Sequence, residues 1–419
     1  MKKIIALLMA TVMVFALAAC GGGTENAADT GNTNAGNTND GNTNAAASAQ
    51  SLKIWAAQED QAIMQQFSEQ FKAANPQYNV TFEFGVVGEP DCYTRFSEDP
   101  AAAADVFFFP NDQLRDFVRS GGLYEVTRNK DAIISRNMES SIEAATLNGK
   151  LWGYPSTADN GYFLYYDTSV LTKQDVQSLD RILEVCNAAG KKITMNLDNN
   201  GWYVASFFLG AGCTLSIGPD DIQVCDFNNA NGLAAARAMQ AFTSNSAFLE
   251  GNDDVLKGGI GGTIAAGISG TWNAEDISST LGDNYGAAKL PTFTMNGNQV
   301  QMGSFGGYKI AGVNSTITDR DKLVIAFDFA DFITNEQSQV ARFEARAIGP
   351  SNINAASDPA VQENLALAAL AAQSVHATSQ NDVLGTYWNP AGAFGTAIVN
   401  NAGSDLQELL DNMVAQIQT

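Results

Sequence analysis

Histidine is nearly absent from this chain: His376 stands alone among 419 residues. A Ser-His-Asp or Cys-His catalyst would have to be built on that one imidazole, and its Ala- and Gln-rich surroundings read as a helix surface. The Gly-x-Ser-x-Gly elbow of a nucleophilic serine is missing too. No His/Cys cluster has zinc spacing, and no Walker loop or dinucleotide glycine fingerprint follows a strand. Gly258-Gly259-Ile260-Gly261-Gly262 is Gly-rich but lacks the Lys-Ser/Thr that would complete a phosphate loop. No metal and no cofactor is therefore expected. Basic charge is scarce, 23 Lys and Arg against 45 Asp and Glu, for a net charge of −22. That argues against nucleic acid, whose phosphates must be neutralised. It also disfavours an anionic ligand, unless a local basic pocket overrides the average. It is neutral towards a sugar. The acids are numerous enough to leave a secreted glycosidase as the rival reading; the reading adopted is a binding protein, not an enzyme.

The apolar run Ile4 to Leu17 is shorter than the roughly 20 residues a membrane span needs. With Lys2 and Lys3 before it and Ala18-Ala19-Cys20 after it, it reads as a signal peptide over residues 1–19. Leu17-Ala18-Ala19-Cys20-Gly21 resembles the bacterial lipoprotein lipobox, which implies cleavage before Cys20 and lipidation of its sulfur. Stable anchoring takes more than one acyl chain, and a lipoprotein cysteine carries at least two. Residues 20–50 carry the pentads Gly31-Asn-Thr-Asn-Ala, Gly36-Asn-Thr-Asn-Asp and Gly41-Asn-Thr-Asn-Ala. They have too little apolar bulk to offset ordering entropy. A flexible tether is expected, and roughly 30 residues at about 5–6 Å × √n reach about 30 Å.

What remains is long enough for two domains. Leu52 to Trp55 reads as a strand, followed by a helix with Ile63, Phe67 and Phe71 at four-residue steps. Val80 to Phe84 alternates as a strand, and Asp105 to Phe109 is a continuous buried one stopped by Pro110. A second alternation runs from a helix over Leu179 to Ala189, through a strand at Lys192 to Leu197, to an apolar helix at Trp202 to Leu209. Strands at Thr263 to Ile268, Asn284 to Leu290 and Tyr308 to Val313 follow, then helices at Lys322 to Thr334 and at the C-terminus. The class is α/β.

Between the alternations, Asn148-Gly149 is a hairpin turn signal, and Leu151, Trp152 and Tyr154 read as a short strand limited by Pro155. The polar run Ser156 to Asn160 and Gly161 then precede a second strand from Phe163 to Tyr166. Read by itself, this is an ordinary hairpin with a surface turn. Read within the whole chain, Thr157 to Tyr162 is a bend that carries the chain from one lobe to the other beside a ligand cleft. Further crossovers are expected after Leu290-Pro291 and at Ile348-Gly349-Pro350.

Besides Cys20 there are four cysteines. Cys213 and Cys225 flank Gly218-Pro219 almost symmetrically, so a disulfide across a hairpin is expected there. Cys92 and Cys186 are expected to be free.

Several blocks together resemble the maltose-binding protein family, the extracellular solute receptors of carbohydrate ABC importers. They are Asn148-Gly149-Lys150-Leu151-Trp152-Gly153-Tyr154-Pro155, Ser269-Gly270-Thr271-Trp272, Asn284-Tyr285-Gly286 with Leu290-Pro291-Thr292-Phe293, Asp105 to Asp112, and Tyr387-Trp388. The resemblance runs from Leu52 to the C-terminus. It implies a periplasmic-binding-protein-like fold, two α/β lobes joined by a multi-strand hinge with the ligand cleft between them. The partition expected is 51–157 with 291–348 for one lobe and 158–290 with 349–419 for the other.

The resemblance also implies a site. Trp272 and Trp388 match sugar-stacking tryptophans, and Phe109 stands where the family has a third. Asp112 matches a hydrogen-bonding aspartate, and Asp159 stands in place of a glutamate. Trp55 fits a first-strand tryptophan. Glu59 and Asp60 fall where the family uses acidic and lysine contacts, so the lysine is absent there. Gln113 replaces an arginine, and Asn199 to Trp202 replaces Glu-Pro-Tyr. Such a protein would be a lipid-anchored monomer that delivers an oligosaccharide, a maltodextrin above all, to the permease of an ABC importer. Asp, Asn and Trp suit a pyranose, whose apolar face takes a ring and whose hydroxyls take carboxylates and amides. Trp152 is expected in the core and Trp55 is balanced between core and cleft.

Overall fold

The structure, a computed structural model, describes residues 48–218, 220–400 and 405–418. The expected signal peptide, the lipid-bearing Cys20 and nearly all of the 20–50 tether lie outside the described residues. Gln50, the last residue assigned to the tether, already belongs to the first strand.

Two sheets organise the described chain. The first runs in the order Ala377–Ser379, Ser304–Val313, Val106–Pro110, Gln50–Ala56, Val80–Val86, with Tyr154–Gly161 also paired to Ser304–Val313. The three early strands are parallel and Ser304–Val313 runs antiparallel to Val106–Pro110. The second sheet runs Phe248–Glu250, Lys192–Met195, Ile264–Ser269, Phe163–Asp167, Tyr285–Ala288. Its strands are rich in aromatic and small residues, and it is covered on both faces: every residue of Ile264–Ser269 and Phe163–Asp167 is buried, as strands between helical layers must be.

Each sheet has its own core. Leu52, Ile54, Phe67, Phe71, Phe107, Phe117, Ile310 and Phe329 pack in the first. Leu164, Ile193, Val204, Phe207, Phe227, Tyr387 and Met413 pack in the second. A smaller cluster around Phe163, Tyr165 and Ile277 fills the other face of the second sheet. The protein is thus two α/β lobes.

The two lobes share strands. Tyr154–Gly161 begins with Tyr154 in the first core and leads directly to Tyr162 in the second. Its antiparallel partner, Ser304–Val313, places Phe305 in the second core and Ile310 in the first. A third segment lies beside them: Thr157 bridges Pro350, and the Ala158 N–H donates to Gly349 O at 2.9 Å. Buried Gln339 clasps that segment, accepting from the Ser351 and Asn352 N–H groups at 2.7 and 2.9 Å and donating to Thr334 O at 2.8 Å. These are the strands of a hinge.

Two expectations need correction here. The polar run Ser156 to Asn160 is not a bend but the middle of a strand. Pairing with Ser304–Val313 carries the chain straight through Pro155, at the cost of register irregularities on the partner. The Cys213–Cys225 disulfide is also absent: all four cysteines of the described residues are free and buried. The hairpin does form, but its register sets Cys225 opposite Leu215 rather than Cys213, and Cys213 Sγ turns to Asn229 Oδ1 at 3.8 Å. The Asn148-Gly149 turn is as expected. Both residues have positive φ, 54° and 73°, between the paired strands Thr146–Leu147 and Lys150–Leu151. That left-handed pair is what an Asn-Gly hairpin turn requires.

Candidate functional site

The hinge strands, the end of strand Ile264–Ser269 and the start of helix Gly201–Gly210 converge on one cluster. Asn200 caps the helix, its Oδ1 accepting from the Trp202 and Tyr203 N–H groups at 3.1 and 3.4 Å, a good N-cap. That cap places Trp202 in the first turn, against Tyr162 (ring centroids 4.6 Å apart) and Trp272 (5.7 Å, planes 36° apart).

Trp272 is held from two sides. A Cβ at Gly270 would lie 2.0 Å from its ring, so only glycine lets the indole fold back over the chain. Its Nε1–H donates to Asp253 Oδ2 at 2.7 Å, while Asp253 Oδ1 accepts from Ser269 Oγ at 2.7 Å. Gly201 plays the same part for helix Trp388–Val399. A Cβ there would meet Trp388 O and Ala391 Cβ, each at 2.9 Å, so the helix start that carries Trp388 lies next to the one that carries Trp202.

The first lobe supplies charge. Lys309, on Ser304–Val313, lies 3.3 Å from Glu89 and 5.9 Å from the centre of the Trp272 ring. Burial alone would lower its pKa, but Glu89, Asp159 and Asp60 outweigh burial and raise it, so it is an ammonium. Burial likewise pushes Asp60 up, but Arg342 and Arg346 outweigh it and hold the carboxylate below its usual range. Arg346 donates to Asp60 directly. Asp159, on Tyr154–Gly161, accepts from Thr271 Oγ1 at 2.6 Å and from the Gly349 N–H at 2.8 Å. It therefore ties the turn before Trp272 to the third hinge segment.

Asp112 bridges towards the second lobe, accepting from Gln380 Nε2 at 2.9 Å and from the Trp388 side chain. Burial pushes its pKa up to about 7, against those two donors. Outside the cleft, Arg115 pairs with Asp221 at 3.2 Å.

Four of these expected residues, Asp60, Asp159, Trp202 and Trp272, meet in or beside the cluster, and Asp112 and Trp388 meet each other at its edge. Glu59 is exposed beside Arg346. Three expected residues lie elsewhere. Phe109 is fully buried, against Phe117 at 4.6 Å and Phe107 at 6.1 Å. Strand alternation turns Phe107 and Phe109 to one face and Phe108, also a member of the first core, to the other, where the Arg342 guanidinium lies 5.1 Å from its ring centre. Trp55 is core as well, packed near Phe107 and under Gly85. Asn199 turns the chain with φ 51° and is fixed to helix Trp388–Val399 through Thr396 and Gly392. Trp152 is a partly buried neighbour of the first core, as expected, its Nε1–H on Leu147 O.

Sequence reasoning missed Lys309, Arg342, Arg346, Glu89 and Asp253. The lysine is absent at Glu59 and Asp60, as expected, but Lys309, on another strand, is electrostatically coupled to Asp60. Gln113, in place of an arginine, is spent on local backbone, accepting from the Tyr93 N–H at 3.0 Å.

Among the described residues, the buried side-chain atoms without a hydrogen-bond partner include Trp202 Nε1, Thr157 Oγ1, and Arg342 Nε and Nη2. An unmet buried donor costs about 1–3 kcal/mol, a cost that a bound acceptor removes. The described residues hold no cluster of three or more His, Cys, Asp or Glu suited to a metal.

Comparison with known proteins gives the arrangement a family. A family model for bacterial extracellular solute-binding proteins matches residues 66–369. The galactooligosaccharide-binding protein of Bacillus subtilis (strain 168) is 28% identical over 309 residues, 68% of this chain and 70% of that protein. A structure solved with acarbose superposes with a TM-score of 0.79 at 27% identity, covering 88% of this chain and 99% of its own. The maltodextrin binding protein MalE1 from L. casei BL23, without ligand, gives 0.74 at 26% identity, covering 89% and 100%. The two-lobed fold is what these structures share with it, and the chain belongs to the bacterial extracellular solute-binding proteins.

Proposed function

We propose that the protein is the receptor of a carbohydrate ABC importer, and that it captures an oligosaccharide, a maltodextrin before others, in the cleft lined by Trp202 and Trp272. The observation that carries this reading is the Trp202–Trp272 pair. Two indoles packed together, ring centroids 5.7 Å and planes 36° apart, form one continuous aromatic surface, and one carries an unpartnered N–H; such a surface suits the apolar face and hydroxyl rim of a pyranose. Asp60, Asp159 and Asp112 supply acceptors for hydroxyl protons. The relatives solved with acarbose or described as binding maltodextrin favour an α-glucan; the Bacillus subtilis relative, a galactooligosaccharide-binding protein, favours the second reading, a different oligosaccharide such as a galactooligosaccharide.

The chain would act as a monomer, exported by residues 1–19, lipidated at Cys20, and tethered to the outer face of the membrane by residues 20–50. Its lobes divide as 51–157 with 291–348 and 158–290 with 349–419, amended at the hairpin Thr292–Met295 and Asn298–Gln301, since Phe293 and Met302 pack in the second core. Isothermal titration with maltotriose, maltotetraose and galactooligosaccharides tests the ligand, and product analysis of the same mixtures tests for hydrolysis. Binding of none of these sugars, or cleavage of one, would overturn the reading.

A further inference from the structure

Arg342 is 3% exposed and sits on helix Glu336–Arg346, behind the hinge. Its Nη1 donates to Ser156 Oγ and its plane lies over Phe108. Its Nε and Nη2, the adjacent pair that forms the side-on edge of a guanidinium, have no partner among the described residues. Thr157 Oγ1, one residue along the hinge strand from Ser156, is also unpartnered. Thr157 is paired in register with Lys309, which lies over Trp272, so the unmet groups connect to the aromatic cluster through adjoining residues.

We propose that Arg342 is a specificity-determining residue of this receptor, reading two adjacent hydroxyls of the bound sugar through its Nε–Nη2 edge; this rests on the carbohydrate reading above. The edge is a planar fork that fits paired oxygens. A carboxylate or a pair of gauche ring hydroxyls could fill it, and charge decides between them. Arg342, Arg346 and Lys309 are three cations coupled to four anions, Asp60, Glu59, Glu89 and Asp159. The set already carries one excess negative charge, so an anionic ligand would add to it, whereas a diol accepts from the arginine and returns its own protons to the carboxylates.

The experiment is a titration of wild type, Arg342→Lys and Arg342→Gln with maltotriose and with galactotriose, alongside the thermal midpoint of each ligand-free protein. Arg342→Lys keeps the charge beside Asp60 and should melt within a few degrees of wild type, whereas Arg342→Gln also gives up that charge and the bond to Ser156 and should melt lower. Each should bind the preferred trisaccharide roughly tenfold or more weakly, the scale of a lost charge-assisted pair. Monodeoxy analogues of that trisaccharide separate reading from positioning: removing one of the two hydroxyls should penalise wild type strongly and the variants little, a coupling that a structural role would not produce. Affinity within twofold of wild type, or a steep fall in the midpoint of both variants, overturns the proposal while leaving the receptor reading intact. No binding of either sugar by wild type overturns the receptor reading itself, and this proposal with it.

Discussion

Lys309 and Trp272 meet across the cleft, 5.9 Å from ammonium to ring centre, one on a strand of the first sheet and the other just past a strand of the second. The contact is a cation–π pair of about 0.5–2 kcal/mol. The lysine is also committed to Glu89, with side chains only 15% and 12% exposed. Lys309→Met leaves Glu89 uncompensated and should cost about 3 kcal/mol of stability. Adding Glu89→Gln should recover most of that. Urea unfolding of the two variants checks it; an equal loss in the double variant would mean that the ion pair is not what the lysine serves.

Trp272→Ala should weaken binding of the preferred sugar by about 2 kcal/mol or more, as loss of a buried aromatic anchor does. Gly270→Ala should reproduce much of that loss without touching the indole, because the new methyl would occupy the ring's place. Trp152→Ala, outside the cleft, should lower the melting temperature and leave affinity alone. Calorimetry and thermal melts on the three variants separate these effects, and normal binding by a folded Trp272→Ala protein would remove Trp272 from the site.

Asp112 gives a pH dependence of defined sign. Its folded pKa is raised to about 7 by burial, above the ordinary carboxylate value near 3.9. The folded state therefore holds a proton that the unfolded state has released, and the contribution of this group to stability falls as pH rises from about 4 to about 7. Asp112→Asn should flatten that part of the stability–pH curve. Chemical unfolding at pH 4.5, 6 and 7.5 measures it, and an unchanged curve in the variant would assign the titration to another group.

The pairs Asp112–Gln380 and Arg115–Asp221 hold elements of the two lobes together without a sugar. A ligand shifts a lobe equilibrium only by its differential affinity. X-ray scattering should show a smaller radius of gyration at saturating maltodextrin. Asp221→Asn should loosen the ligand-free protein slightly, by less than about 1 kcal/mol, since the pair is largely exposed, and the difference should vanish in high salt. Scattering that does not respond to ligand would argue for a rigid cleft.

Deleting residues Gly22 to Ala47 should leave sugar affinity and melting temperature unchanged in the soluble protein. The first sheet begins only at Gln50. A marked loss of either would give the pentad segment a packing role.

The fold was legible wherever hydrophobic pattern decides structure. Helix Leu179–Ala189 has the bounds that its apolar spacing predicts, and the run Val106 to Phe109 is the buried strand it reads as. The same run shows the limit. A strand buried on both faces carries no alternation, so nothing local distinguishes Phe108, beside Arg342, from Phe109 in the core. The polar run Ser156 to Asn160 was opaque for another reason. Its burial is satisfied by Arg342, Thr271 and Gln380, all more than a hundred residues away in sequence. The Trp272 pocket did leave a local signal, a glycine two residues before the indole. Arg342 left none, since an arginine in a helix as polar as Glu336–Arg346 reads as surface.

The unbonded cysteines bear on where the protein can mature. Burial pushes the thiols of Cys213 and Cys225 up to about 12 and that of Cys186 to about 11, and it raises Cys92 as well. The thiolate is the reactive form, so at neutral pH these sulfurs neither exchange with disulfides nor oxidise readily. The described part of the fold is therefore held together without a disulfide, and its stability should be indifferent to the redox poise of its surroundings.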